Sequence, residues 1–262
     1  TMGHFVCFDR WGQPSPQELK NGMPFHGEAA QVVWKILSEP SKRNGVITAV
    51  MSCDLPIGGM ALKRTLRLAD NSAFLAVTEE ITNTGKLGRV YNIVQHPSIG
   101  PGFLDPTVVV DANAWKGFKQ GGSMPFPEEP VIYWPKVVHN GELVDLRKLT
   151  VSHEPGVTSF VFADSFKTGW VTALNPVKRR LVGDTWDVSE YPWLNIWRHV
   201  QDGKPVARGM EFGTTGLHQP YPALVAKREI FGAPLYEYID AGQTIVKSYS
   251  LFLAATPEDF DG

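Results

Sequence analysis

Short runs of strand-forming residues, broken by turn signals, recur along the whole chain. They cover residues 46–55, 61–68, 73–82, 90–96, 107–110, 131–138, 157–163, 170–174, 194–200, 223–230 and 243–254. Several alternate apolar and polar residues with a period of two, as a half-buried strand does. Strand-sized pieces without long helical patterns between them predict an all-β class, a sandwich or barrel. Helix is confined to short turns. Ser15-Pro16-Gln17-Glu18 reads as an N-cap, a proline at the first helical position and a capping-box glutamate, and Gly22 stops it. Thr256-Pro257-Glu258-Asp259 starts a similar turn near the end. Residues 113–130, rich in glycine and proline, read as a long surface loop. No internal repeat divides the chain, so residues 1–262 are expected to form one domain.

Composition narrows the partners. Hydrophobic residues make up 43% and charged residues 20%, and 25 Lys and Arg against 27 Asp and Glu leave a formal charge of -2. Without a basic tract, neither nucleic acid nor an anionic membrane is an expected partner. No apolar run approaches the roughly 20 residues that span a bilayer. Cys7 and Cys53 make no metal motif and no disulfide framework, and two buried thiols are expected. The first residues have neither the charged start nor the apolar core of a signal peptide, and a cytoplasmic location is expected. Whether a further segment precedes them is open.

The candidate chemistry begins at His96. In the run 90–96, alternation places Val90, Asn92, Val94 and His96 on one strand face, and Pro97 is expected to stop the strand. An imidazole at the end of such a face suits proton transfer in a cleft, or equally a hydrogen-bonded structural role. His26, in Pro24-Phe25-His26-Gly27, sits on a loop where the backbone can approach a ligand. Arg64 shares the apolar face of its strand with Leu62, Leu66 and Leu68. It needs a partner there, either a ligand or a core carboxylate.

Further along, Asp164 is expected to share a face with Phe160 and Phe162, an arrangement suited to sugar hydroxyls or to an ordinary strand-end turn. Glu211 lies between Gly209 and Gly213 on one face, so no bulk flanks its carboxylate. Among Trp186, Trp193 and Trp197, the last two are candidates for a sugar-stacking platform or for core packing.

Together these pieces resemble the aldose 1-epimerase (galactose mutarotase-like) family. The matching segments are Pro24-Phe25-His26-Gly27, Leu62-Lys63-Arg64, Ile81-Thr82-Asn83-Thr84-Gly85, Gln95-His96-Pro97 and Met210-Glu211-Phe212-Gly213-Thr214, in family order over most of the chain. The resemblance implies a large antiparallel β-sandwich, or supersandwich, with a cofactor-independent sugar cleft on one sheet. It implies an aldose as the small-molecule partner and interconversion of its α and β anomers by ring opening. His96 resembles the general acid and Glu211 the general base, with His26, Arg64, Asp164 and Trp197 binding the sugar. Asp164 is placed by spacing alone, 68 positions after His96 and 47 before Glu211.

The chain also departs from the family. Gln95-His96-Pro97 stands where better-known members carry Asn-His followed by aromatic residues, and the stretch after His26 lacks their second glycine. The resemblance is therefore to a divergent branch, whose sugar is not inherited. Three alternatives stay open: a non-catalytic carbohydrate-binding sandwich, a sugar-6-phosphate epimerase, and a cupin-like metal site built from His26, His96 and Glu211. The last lacks the tight His-x-His pair usual for such sites.

Overall fold

The computed structural model describes residues 3–139, 141–149 and 156–260. Two eight-stranded antiparallel sheets pack face to face. The first runs in the order Gly3–Asp9, Arg89–Ile99, Lys204–Gly213, Trp193–Gln201, Gly156–Phe160, Lys116–Lys119 and Ile132–Tyr133, with Glu237–Ile239 added against Arg89–Ile99. The second runs Lys35–Arg43, Val46–Leu55, Met60–Ala69, Phe74–Asn83, Thr244–Ala255, Arg180–Asp187, Thr168–Asn175 and Val109–Ala112. The antiparallel supersandwich expected from the sequence is present.

Strand alternation decides what each face buries. In the first sheet Val6, Phe8, Ile93, Leu194, Ile196, Met210 and Phe212 point toward the second sheet, where they meet Leu62, Val77, Ile81 and Trp186. Trp186 and Phe212 stack at 4.1 Å, nearly parallel. Each such side chain, fully buried, contributes about 1.5–3 kcal/mol. The opposite face of the first sheet carries residues of the other parity, and part of it is roofed by Leu217, Tyr221, Leu224 and Leu235, packed on Trp193 and Phe118. Trp193 is thereby a core residue.

Four sequence expectations change. The strand of His96 does not stop at Pro97 but runs on to Ile99. Its outer neighbour Gly3–Asp9 continues the pairing past that point, with His4 opposite Pro97. Residues 221–227 form a helix where a strand was expected, because Pro222 presets the first turn and Tyr221 and Leu224 bury one face. Strands Lys35–Arg43 and Arg180–Asp187 fall outside the expected runs, and the loop expected at 113–130 contains the short strand Lys116–Lys119. The capping box at Ser15 and Glu18 forms as expected. Cys7 and Cys53 are both buried free thiols.

Candidate active site

Cross-strand register assembles the site. In the first sheet Phe5 lies opposite His96, Asn195 opposite Glu211, Ser98 opposite Gly209, Gly209 opposite Trp197, and Trp197 opposite Val157. The pairs Gly209–Ser98 and Phe212–Gln95 bracket His96 and Glu211 and bring them side by side. Pro97, between them, has no N–H for the ladder. Adjacent strands therefore deliver Phe5, His96, Glu211, Trp197 and Val157 to one patch of the outward face.

Loops close this patch into a cavity of about 330 Å³, to which they add Trp11, Phe25, His26 and His218. His96 Nε2 lies 3.0 Å from Glu211 Oε1, and its Nδ1 lies 2.9 Å from Ser98 Oγ. The ring stacks on Phe5 at 4.2 Å and meets the edge of Trp197 at 5.8 Å. The second carboxylate oxygen of Glu211 accepts the Trp11 indole N–H at 2.8 Å. Both residues are buried. Gly209 is required beside them, since a Cβ there would stand 2.9 Å from Glu211 Oε1.

The loop histidines are fixed by backbone. His26 N donates to the Gly12 carbonyl and Gly12 N donates to His26 Nδ1, each at 3.0 Å. A backbone N–H can only donate, so Nδ1 is the unprotonated nitrogen and Nε2 carries the hydrogen of the neutral ring. In agreement, burial, then the neighbouring His218 and His96, pushes its pKa down to about 3. His218 is also shifted down, chiefly by burial. Its backbone N–H donates to Gln120 Oε1, and Gln120 Nε2 donates to the Gly216 carbonyl and Ser159 Oγ. Its ring rests edge-on to Trp11 at 4.7 Å. Gly12, at φ +95°, leaves it room, because a Cβ would approach that ring to 2.6 Å.

The cavity thus holds one carboxylate, three imidazoles and aromatic walls, with no lysine or arginine among the described residues of its lining. Among the described residues no three His, Cys, Asp or Glu side chains are arranged to hold a metal ion. Nor is any helix there long and apolar enough to cross a membrane.

The architecture has known counterparts. A Klebsiella pneumoniae protein provisionally named an aldose 1-epimerase superposes with a TM-score of 0.69 at 13% identity, over 97% of this chain and 63% of its own. A galactose mutarotase related enzyme from Lactobacillus acidophilus gives 0.64 at 12% identity, over 97% and 83%. A galactose mutarotase-like protein from Lactobacillus casei gives 0.60 at 15%, over 96% and 85%. The chain has the galactose mutarotase-like fold. It spans under two thirds of the Klebsiella protein's length. No protein-family model matches the chain, and no curated protein matches it by sequence.

Within this galactose mutarotase-like sandwich the sequence-predicted residues divide into two groups. His26, His96, Glu211 and Trp197 converge on the cavity. Arg64 does not. Its strand belongs to the second sheet, and its guanidinium is turned into the sandwich. There Nε and one terminal nitrogen donate to Glu79 Oε1 at 2.8 and 2.5 Å. Gln95 donates to the other Glu79 oxygen, and the Trp34 ring lies 5.0 Å from the guanidinium. Of the two partners open to Arg64 in the sequence, the core carboxylate is the one it has.

Asp164 is not at the cavity either. Its strand ends at Phe160, and beyond it the alternation breaks: Phe160 and Phe162 enter different clusters. Asp164 lies in a separate groove with Phe166, Lys167 and Asp187. Trp11 and His218 were not anticipated. The signals were a tryptophan just before a glycine in Trp11-Gly12, and a histidine closing the Gly213–His218 stretch after Glu211.

Proposed function

We propose that the chain is a cofactor-independent aldose 1-epimerase that interconverts the α and β anomers of an unphosphorylated aldose, with residues 1–262 acting as one sugar-binding domain. The observation that carries this reading is the 3.0 Å contact between His96 Nε2 and Glu211 Oε1 on the floor of an aromatic cavity. Mutarotation acts on two oxygens bonded to the same carbon, the ring oxygen and the anomeric hydroxyl. An acid and a base serving them must themselves be neighbours, as these two are.

Glu211 Oε1 takes the anomeric proton while His96 delivers one to the ring oxygen, and the C1–O5 bond breaks to leave the open-chain aldehyde. Rotation about C1–C2 and reclosure with the roles exchanged give the other anomer. His26 Nε2–H donates to a sugar oxygen, and Trp197 packs on an apolar face of the ring. A lining without a described lysine or arginine favours a neutral sugar over a 6-phosphate, whose charge would need a cationic partner.

The test is anomer exchange measured by NMR or polarimetry over a panel of aldoses and their 6-phosphates. Acceleration of one or more neutral sugars by the wild-type protein, lost in His96→Ala, is the expected result. Binding without acceleration across the panel would instead mark a carbohydrate-binding sandwich and end the enzymatic reading.

A further inference from the structure

The short segment after the first strand is held by more charge than packing requires. Asp9 and Arg10 are both buried. Asp9 contacts Arg89 and lies 3.4 Å from Arg10, while Arg10 pairs with Glu18 at 2.7 Å and lies 5.0 Å over the Tyr221 ring. Tyr221 in turn donates its hydroxyl to the Asp9 carbonyl. Glu18 also accepts the Ser15 N–H as half of the capping box, so helix Pro16–Lys20 is tied into the same cluster. Burying such charges carries a desolvation cost. What the cluster fixes is the next residue, Trp11.

Trp11 is 2% exposed and packs with Cys7 and Val94 beneath the cavity. A tryptophan serving only as a wall for a sugar offers its ring face and leaves its N–H indifferent. Here the N–H is aimed at Glu211 Oε2, 2.8 Å away, from a residue 200 positions distant in the chain. Glu211 therefore has one donor on each oxygen, Trp11 on Oε2 and His96 on Oε1.

We propose that Trp11 is a positioning residue for Glu211: its indole N–H fixes the carboxylate rotamer and occupies Oε2, so that Oε1, beside His96, is the oxygen that takes the substrate proton. This rests on the acid–base reading of the site given above. Trp11 keeps its own hydrogen throughout; the proton moves from the anomeric hydroxyl to Oε1 and back. A hydrogen bond to the charged form also favours that form, so the base stays ionised to lower pH than it would without the indole.

Trp11→Phe removes the donor and keeps an aromatic ring. A second variant carries benzothienylalanine at position 11, with sulfur in place of the indole N–H, and retains the shape if phenylalanine leaves the fold loose. Two readouts separate the possibilities: NMR titration of the Glu211 side-chain carboxyl, which needs no activity, and the pH dependence of anomer exchange. The Glu211 titration and the acid limb of the rate profile are expected to move up together by about one pH unit. Turnover should fall about tenfold with KM within twofold, the pattern of a lost transition-state interaction. An unmoved Glu211 titration, or a raised KM at unchanged turnover, would overturn the proposal and leave Trp11 as a sugar-contacting wall. If the wild-type protein accelerates no aldose, the epimerase reading fails, and the carboxyl titration still decides whether Trp11 holds Glu211.

Discussion

His96 and Glu211 lie on adjacent antiparallel strands, side by side at a point where the ladder is interrupted by Pro97, and their side chains meet at 3.0 Å. The pair is built by strand register and not by a loop. Both backbones are therefore rigid, and the relative placement of the two groups is set by the sheet. Sites on sheet scaffolds hold geometry better than sites on loops.

Because the two groups act in one concerted exchange, removing either should cost nearly the whole effect. His96→Ala and Glu211→Gln are each expected to slow anomer exchange by about 10²–10⁴-fold. The double variant should be little slower than either single one, since residues acting as a unit are non-additive. NMR exchange rates on the three proteins check this; fully additive losses would mean that the two residues act independently.

Gly209 faces Trp197 across one strand pair and crowds Glu211 along its own strand. A methyl group there would stand 2.9 Å from Glu211 Oε1 and 3.1 Å from Trp197 Cβ. Gly209→Ala should leave the fold intact, because the carboxylate end is flexible and alanine suits a strand better than glycine. The displaced carboxylate should lose its contact with His96, and exchange should slow about tenfold or more, in line with the effect of misplacing a catalytic group. Thermal melting together with exchange kinetics tests it. Unchanged kinetics would show that the vacancy beside Glu211 is not needed.

Arg64 gives a contrasting expectation. Breaking its pair with Glu79 leaves a buried carboxylate without its main counter-charge, at a cost of about 3–5 kcal/mol. Arg64→Met should therefore lower the urea midpoint strongly, and Arg64→Met combined with Glu79→Gln should recover part of the loss. A variant as stable as wild type but with a raised KM would return Arg64 to the sugar site.

Why the sequence disclosed His96 and Glu211 but misassigned Arg64 follows from what alternation encodes. Period two states which face a residue occupies, and that was right for Arg64, for His96 and for Glu211. It does not state which sheet a strand joins or what lies opposite. Arg64 faces Glu79 because its strand pairs with Phe74–Asn83, a register set by the turn between them. Asp164 was placed by counting, and a chain that leaves its strand at Phe160 does not keep count. Strand Arg180–Asp187 was hidden by Gly183 and Asp184, polar or small residues in a buried strand. Helix Tyr221–Lys227 has the apolar content of a strand and is decided by Pro222 and by the roof it builds over Trp193. Trp11 and His218 come from loops, whose placement depends on the buried cluster at Asp9 and on Gln120.

The last prediction concerns stability, where two kinds of buried group pull in opposite directions with pH. Burial pushes the Asp184 carboxyl up from 3.8 to about 8, and one of its oxygens has no hydrogen-bond partner among the described residues. Between those values the native state holds a proton that the unfolded chain has released, so stability falls as pH rises through that window. His4 and His26 behave in the reverse sense. Burial holds each at about 3 against 6.5 in the unfolded chain, so the unfolded state takes up protons first and stability falls as pH drops from about 6.5 toward 3. Asp184→Asn removes the first effect. It should differ little from wild type near pH 4 and exceed it by a few kcal/mol at pH 8, since a pKa difference of one between folded and unfolded chain corresponds to about 1.4 kcal/mol. His26→Asn, which suits the positive φ at that position, should flatten the acid side while His4 preserves part of the slope. Urea unfolding at pH 4, 6 and 8 measures both. A gap between Asp184→Asn and wild type that stays constant with pH would mean that Asp184 is already ionised in the folded protein.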